Sequence, residues 1–208
     1  MLFNSKEFLI FFPIVFLIYW LVFQKNLRSQ NFLLLLSSYI FYSWWDWRFL
    51  SLIFTSTLID YFIGIKIDNC HNKRNKKLFL FISIIANLSI LGFFKYYNFF
   101  IDSWIELITL FGYNMQSTWT LKVILPVGIS FYTFQTMSYA LDIYSNNLKP
   151  TKDFIAFASF VSFFPQLVAG PIERASNLLP QMLSKRNFEY LNIVKGLRLI
   201  LWGLFMYL

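Results

Sequence analysis

A row of polar side chains lies within an otherwise apolar segment, residues 123–144, with the spacing of one helix face. The row consists of Tyr132, Gln135, Tyr139 and Asp142, which occupy positions i, i+3, i+7 and i+10. This spacing places all four side chains on the same side of a helix. Because polar groups cost free energy in hydrocarbon, that side is expected to face protein or water. The row either forms hydrogen bonds between helices or lines a substrate cavity.

A glycine, a proline and an adjacent acid–base pair directly follow a second apolar run. In this stretch, "LVAGPIER", Gly170 and Pro171 interrupt a helix. Irregular backbone at membrane depth requires surrounding protein or a water-filled cavity. Arg174 follows Glu173 and carries a permanent charge and five N–H donors, which suit a phosphate or a carbonyl oxygen. The stretch is therefore predicted to line the same cavity as the polar row, and the alternative is a helix end among lipid headgroups.

The other ionisable residues of the apolar regions offer less chemistry. Asp60 lies near the end of an apolar run, six residues before Lys66, which favours pairing with a neighbouring helix or with interface water. The single histidine, His71, follows the single cysteine, Cys70, in a basic loop. No second Cys/His cluster completes a zinc site, so no metal site is predicted.

The composition indicates a membrane protein. Hydrophobic residues make up 58% of the 208 residues and charged residues only 13%, a balance that excludes a disordered chain and is too apolar for an ordinary soluble domain. The net charge of +8 comes from basic residues in short loops between apolar runs. That pattern is typical of the positive-inside rule and not of a nucleic-acid-binding face. The lipid bilayer is the expected partner, and no nucleic acid is expected.

Four apolar runs are predicted to cross a bilayer, which takes roughly 17–20 mostly apolar residues per helix. They are residues 8–23, 32–45, 49–67 and 78–94. Residues 99–111 are apolar but carry two acids, and they are expected to lie at the interface or to re-enter the membrane. The remaining predictions are a polar loop at 112–121, a helix at 154–169, a loop or surface helix at 175–189 and an apolar helix at 193–208.

The basic residues predict the orientation. The loops at 24–30 and 66–77 lie on the same side and together hold seven Lys and Arg residues, whereas the opposite side has Lys6 and Arg48. Because cytoplasmic loops carry the excess of positive charge, the N-terminus is predicted to lie outside. The last apolar run ends the chain without a polar flank, so the chain is expected to be the N-terminal part of a longer protein with one membrane domain over residues 1–208.

Four stretches of the chain also carry a family resemblance. They are "NFLLLLSSYIFYSWWDWRFL", "LGFFKYYNFF", "ILPVGISFYTFQTMSYALDIY" and "FVSFFPQLVAGPIERASNLLPQM". Together and in this order they resemble the N-terminal half of the membrane-bound O-acyltransferases (MBOAT). The nearest branch is that of the bacterial alginate O-acetylation protein and its relatives in peptidoglycan and polysaccharide O-acetylation.

The resemblance implies an all-α fold, in which a polytopic transmembrane bundle with re-entrant or broken helices surrounds a central tunnel. It also implies transfer of an acyl group, usually acetyl, to a hydroxyl of an envelope polysaccharide at the bacterial cytoplasmic membrane. The essential histidine of the family lies in the C-terminal half, and a second histidine lies in a "WHG"-type motif. Neither motif occurs here and His71 matches neither position, so this chain alone is expected to be inactive, with no catalytic residue of its own.

The same resemblance implies the partners. The expected acyl donor is acetyl-CoA or another acyl thioester, no bound cofactor is expected, and a periplasmic transferase is expected to reach the polysaccharide acceptor. Two alternatives stay open. The first is a transporter or flippase for a lipid-linked envelope precursor, which would also use broken helices and an intramembrane acid. The second is an inactive truncated gene product without the C-terminal half.

Overall fold

The secondary structure is helical, with no strand, throughout the residues that the computed structural model describes, 3–110 and 125–207. The helices are α1 (Lys6–Leu17), α2 (Leu27–Asp46), α3 (Leu50–Asn69), α4 (Lys73–Leu110), α5 (Ile129–Tyr144), α6 (Phe154–Val161), α7 (Phe164–Ala169), α8 (Ala175–Leu183) and α9 (Tyr190–Tyr207). A π-helical turn, Ile18–Val22, extends α1, and a 3₁₀ turn, Trp47–Phe49, joins α2 to α3. The predicted all-α class is confirmed.

Some of the predicted segments fall outside the described residues. The polar loop predicted at 112–121 lies wholly outside them, and so do residues 123 and 124 of the predicted helix 123–144. Residues 111 and 208, the last of two predicted apolar segments, lie outside them as well.

Among the described residues, two helical segments are long and apolar enough to cross a membrane, Leu27–Asn69 and α4. The four segments predicted as spans are helical, apart from Phe23: they coincide with α1 and its π turn, with α2, with the 3₁₀ turn and α3, and with α4. Together with the all-α content, these segments fit a helical membrane protein.

Helix α4 is longer than the sequence predicts. Its 38 residues extend about 57 Å at 1.5 Å per residue, which exceeds the hydrocarbon thickness of about 30 Å. Because α4 runs without interruption to Leu110, residues 99–110 are its continuation, and the prediction of a re-entrant element there is wrong. No glycine or proline lies between Phe93 and Leu110 to end the helix. The two acids of this part, Asp102 and Glu106, are exposed on its surface.

The predicted helix at 154–169 is two helices, α6 and α7, separated at Ser162 and Phe163. Pro165 explains the difference, because proline lacks an N–H and its ring clashes with the carbonyl four residues earlier in a continuous helix. It stands instead in the first turn of α7, where a proline is tolerated. The prediction of one uninterrupted helix is therefore wrong at this point.

Helix α8 settles the choice left open for residues 175–189. Ala175, Leu179 and Met182 lie on one side of α8 and are buried, and α8 packs against α5 and α6. The segment therefore begins as a helix with one buried face, and residues after Leu183 leave the helix before α9.

The core lies where α3, α5 and α6 meet. Ile53, Tyr139 and Phe157 are each 0% exposed, and the rings of Tyr139 and Phe157 lie 4.5 Å apart between centroids. Helices α3 and α5 approach each other at Gly64, where a Cβ atom would lie 2.5 Å from Cε1 of Tyr139. The absence of a side chain at Gly64 therefore sets the distance between these two helices.

The substitution Gly64→Ala is expected to destabilise the chain by about 1–3 kcal/mol, the usual cost of overpacking a core. The new methyl group would also lie 2.9 Å from Cδ1 of Ile143. Thermal unfolding of the detergent-solubilised chain, followed by far-ultraviolet circular dichroism, measures the effect. The matched control is Gly92→Ala in α4, where a Cβ atom meets nothing within 4 Å. Equal unfolding midpoints for the two variants would contradict the close approach.

Candidate functional site

The polar row of α5 turns inward, as its spacing predicts. Tyr132 and Tyr139 are 0% exposed, Gln135 2% and Asp142 7%. Helix α5 begins after Gly128, whose φ of 77° is a left-handed conformation that glycine adopts without strain. A Cβ atom there would also lie 2.6 Å from the carbonyl oxygen of Leu167. The start of α5 is thus tightly fixed against α7.

Two members of the row form hydrogen bonds to other helices. The side-chain amide of Gln135 donates to the carbonyl oxygen of Phe160 in α6 at 2.8 Å. The carboxylate of Asp142 accepts from the backbone N–H of Ser176, in the first turn of α8, at 3.2 Å. The hydroxyl of Tyr132 has no hydrogen-bond partner within the described part of the chain. These contacts make the row the polar attachment of α5 to α6 and α8.

The break between α6 and α7 is satisfied by side chains from two other helices. A helix leaves its last carbonyls and first N–H groups without partners, and an apolar bundle offers no water to replace them. Gln135 satisfies the Phe160 carbonyl at the end of α6. The backbone N–H of Phe164, at the start of α7, donates to Ser38 Oγ of α2 at 3.1 Å. The break is therefore held by α2 on one side and by α5 on the other.

The "GPIER" stretch connects α7 to α8 at the surface. Gly170 and Glu173 are half-buried, whereas Pro171 and Arg174 are exposed. The carbonyl oxygen of Pro171 accepts from Gln166 Nε2 at 3.0 Å. The Glu173 carboxylate accepts from Asn177 Nδ2 at 3.4 Å. Arg174 occupies the position before α8.

The start of α8 is capped from α5 and not by the residue before it. The N–H of Ala175 donates to Ser138 Oγ at 3.2 Å, and the N–H of Ser176 donates to the Asp142 carboxylate. A carboxylate at a helix N-terminus is favourable because it also complements the helix dipole. The structure thus brings Asp142 and the residues after Arg174 together. Tyr132 lies ten residues before Asp142 in α5, about 15 Å from it along the helix axis.

A second polar group lies between α3, α4 and α5 around Asp60, which is 0% exposed. Its carboxylate accepts from Ser83 Oγ and, at 2.7 Å, from Asn87 Nδ2. The Oδ1 atom of Asn87 accepts in turn from Ser56 at 2.9 Å and from Thr136 at 3.2 Å. The predicted pairing of Asp60 with a neighbouring helix is confirmed. The spacing of four residues, from Ser56 to Asp60 and from Ser83 to Asn87, could have indicated both faces.

A cavity of about 310 Å³ lies between α1, α2 and the region from Phe163 to Arg186. Its walls are mostly aromatic and aliphatic, and Arg186 is the one charged residue among the described residues that line it. None of the eight predicted site residues lines it. Their role in lining a substrate cavity stays a prediction, and Arg186 is the lining residue that sequence reasoning missed.

The fold and these contacts define the general class of protein to which the chain belongs. Apolar helices of membrane length, a helix break and polar groups satisfied between helices are typical of helical membrane proteins. No family model matches the chain, and no solved structure matches it.

Comparison with known proteins shows which members of this class the chain is similar to. The chain is 42% identical to the probable alginate O-acetylase AlgI of Pseudomonas aeruginosa over 182 residues, which cover 87% of this chain and 34% of that protein. The chain is also 42% identical to the same-named protein of Pseudomonas putida over 183 residues, which cover 87% of this chain and 37% of that protein. The peptidoglycan O-acetyltransferase of Helicobacter pylori is 36% identical over 239 residues, covering 99% of this chain and 43% of that protein.

The chain therefore spans between 34% and 43% of the length of these relatives. Their names and the extent of the match along this chain confirm the resemblance to the alginate O-acetylation branch that the sequence predicts. The chain corresponds to a portion of a protein of this type.

The helix break should be sensitive to the two side chains that satisfy it. Gln135→Leu leaves the Phe160 carbonyl unpaired and Ser38→Ala leaves the Phe164 N–H unpaired, each at an expected cost of about 1–3 kcal/mol. The control is Ser43→Ala, because Ser43 bonds only to the Ile40 carbonyl of its own helix, and its expected effect is within about 0.5 kcal/mol. Thermal unfolding in detergent measures all three, and equal midpoints for the two serine variants would refute the role of Ser38.

Proposed function

We propose that this chain is part of a membrane-bound O-acetyltransferase that moves an acetyl group onto a hydroxyl of a cell-envelope polysaccharide. The observation that carries the proposal is identity of 36–42% over 87–99% of the chain to proteins named alginate O-acetylase and peptidoglycan O-acetyltransferase. The apolar all-helical architecture supports it, because an enzyme that modifies envelope polymers from within a membrane needs such a scaffold.

The proposed reaction is acyl transfer from a thioester. The polysaccharide hydroxyl oxygen attacks the acetyl carbonyl carbon while a general base takes the hydroxyl proton, and the carbon–sulfur bond breaks as that base gives the proton to the departing sulfur. The proposed donor is acetyl-CoA or another acyl thioester, and a periplasmic transferase is the proposed route to the acceptor. His71 lies in the short connection between α3 and α4 and is exposed there, so the base is proposed to come from outside this chain.

The proposed contribution of this chain is one wall of the reaction cavity. Gln135, Tyr139 and Asp142 fix α5 against its neighbours, and this rigidity supports accurate positioning of a site built on the same helices. Two of the predicted site residues are the proposed substrate contacts. They are Tyr132, whose hydroxyl is unpartnered within the described residues, and Arg174, which forms no ion pair among those residues.

The proposed location is the bacterial cytoplasmic membrane, crossed several times, with the N-terminus outside. The support is the distribution of basic residues. Lys25 and Arg28 lie at and just before the start of α2, and the cluster from Lys73 to Lys77 forms the first turns of α4, and the cytoplasmic ends of spans carry such an excess.

A chimaera tests the activity. The matching segment of the Pseudomonas aeruginosa protein is replaced by this chain and expressed in a strain that lacks the original gene. The expected result is alginate that again carries acetyl esters, measured by nuclear magnetic resonance of the purified polymer. This chain expressed alone should give acetylation at least about 10²–10⁴-fold lower, the typical contribution of a general base. A chimaera that reaches the membrane at normal abundance and leaves alginate unacetylated would overturn the proposal.

The same chimaera tests Arg174. Arg174→Gln is expected to lower acetylation about 10- to 100-fold at unchanged membrane abundance, because a hydrogen bond from a charged donor to a reacting group is worth roughly 1.5–3 kcal/mol. The matched control is Arg198→Gln, which removes an exposed arginine of α9. Equal acetylation in the two variants would remove Arg174 from the proposed site.

The orientation can be tested with the native cysteine. Cys70 is the only cysteine of the chain and lies at the end of α3, beside the basic loop. A membrane-impermeant maleimide is expected to label it in inverted membrane vesicles and not in intact spheroplasts. The control combines Cys70→Ser with Ser5→Cys, which should reverse the pattern. Labelling of Cys70 in intact spheroplasts would place the N-terminus inside.

A further inference from the structure

The cavity beside α1 combines an apolar interior with one cation. Phe12, Val15 and Phe16 of α1 line one wall, and Phe163 and Leu178 lie among the residues of the opposite wall. Its volume of about 310 Å³ is at the lower end of the range for ligand pockets, about 300–1,000 Å³. An apolar interior of this kind suits a hydrocarbon ligand.

Arg186 is held at one end of the cavity by neutral groups. Its Nη1 atom donates to the Tyr19 hydroxyl at 2.7 Å and its Nη2 atom donates to Asn31 Oδ1 at 2.7 Å. Its Nε atom donates to the Gln181 carbonyl at 3.2 Å, and Nη2 also contacts the Met182 sulfur at 3.1 Å. Four of the five N–H donors of an arginine are thus used, and one on Nη1 is left.

The charge of Arg186 is not neutralised by the protein. No carboxylate forms an ion pair with it within the described residues, and all four partners are neutral. A half-buried guanidinium with its geometry fixed in advance and its charge uncompensated is suited to an anion.

The surrounding turn strengthens this arrangement. Tyr19 lies in the π-helical turn that extends α1 and is its one buried residue, whereas α1 itself has none. Turns of this kind often occur at functional sites. Lys25 lies in the connection from this turn to α2, and Arg28 lies in the first turn of α2. Arg28 precedes Asn31, the α2 residue that Arg186 contacts, by about one helical turn.

We propose that this cavity binds one acyl chain of an anionic membrane phospholipid, with the lipid phosphate against Arg186. Phe12 and Trp20 mark the two ends of the cavity along α1, about 12 Å apart at 1.5 Å per residue. An acyl chain lying parallel to α1 would contact the aromatic wall and bring its headgroup to Arg186 and the basic turn. The proposal depends on the membrane location and not on acyl transfer, so loss of acetylation in the chimaera leaves it intact.

Native mass spectrometry of the detergent-solubilised chain tests the proposal. The chain is incubated with equimolar phosphatidylglycerol and phosphatidylcholine that carry identical oleoyl chains. The expected preference for phosphatidylglycerol is about fivefold, the factor that one basic residue contributes near an anionic surface. Arg186→Gln should bring the ratio close to one, and the control Arg198→Gln, at an exposed arginine of α9 outside the cavity, should leave it unchanged.

A second pair of variants tests the apolar part without touching the cation. Val15→Trp fills the cavity and is expected to reduce binding of both lipids several-fold. Ile14→Trp adds the same ring on the neighbouring residue, which is 51% exposed and outside the cavity lining, and it should leave binding unchanged. Equal lipid ratios in the unmodified chain, equal effects of the two tryptophan variants, or displacement of the lipid by acetyl-CoA would each overturn the proposal.

Discussion

Two side-chain hydrogen bonds hold a helix break inside the bundle, and the arrangement of the other helices depends on them. Gln135 reaches the Phe160 carbonyl and Ser38 accepts from the Phe164 N–H. Because Pro165 prevents a continuous helix and no water is available in an apolar interior, these groups must find partners in the protein. Helices α2 and α5 supply them, and this requirement fixes both helices against the same two short helices.

Helix α5 is the centre of the polar contacts. Its residue Gln135 reaches α6, Ser138 and Asp142 reach α8, and Thr136 reaches Asn87 of α4. Between helices in lipid the hydrophobic effect gives little preference for one arrangement over another, so polar contacts and close packing determine the geometry. Gly64 supplies the close packing, because it brings α3 against Tyr139. The polar row of α5 therefore specifies the bundle whether or not part of it also contacts a substrate.

Local pattern predicts some of these features and not others. The inward face of α5 follows from spacing, and the pairing of Asp60 follows from the cost of a buried acid. Pro165 also indicates the split between α6 and α7. The apolar run around it nevertheless led to the prediction of one continuous helix. The cavity could not be predicted, because Arg186 meets the Tyr19 hydroxyl across 167 positions of sequence. A single sequence carries no periodicity that links residues so far apart.

The length of α4 has a mechanical consequence. A helix without an internal break transmits rotation along its axis as a rigid rod, and α4 has 38 residues without a proline. From Asn87 to Leu110 the helix runs about 35 Å at 1.5 Å per residue, so a tilt of roughly 10° about Asn87 displaces Leu110 by about 6 Å. Its first half is clamped by the network around Asp60, through Ser83 and Asn87. Any tilt of α4 would therefore be centred on the polar network, and the part of the helix toward Leu110 would move furthest.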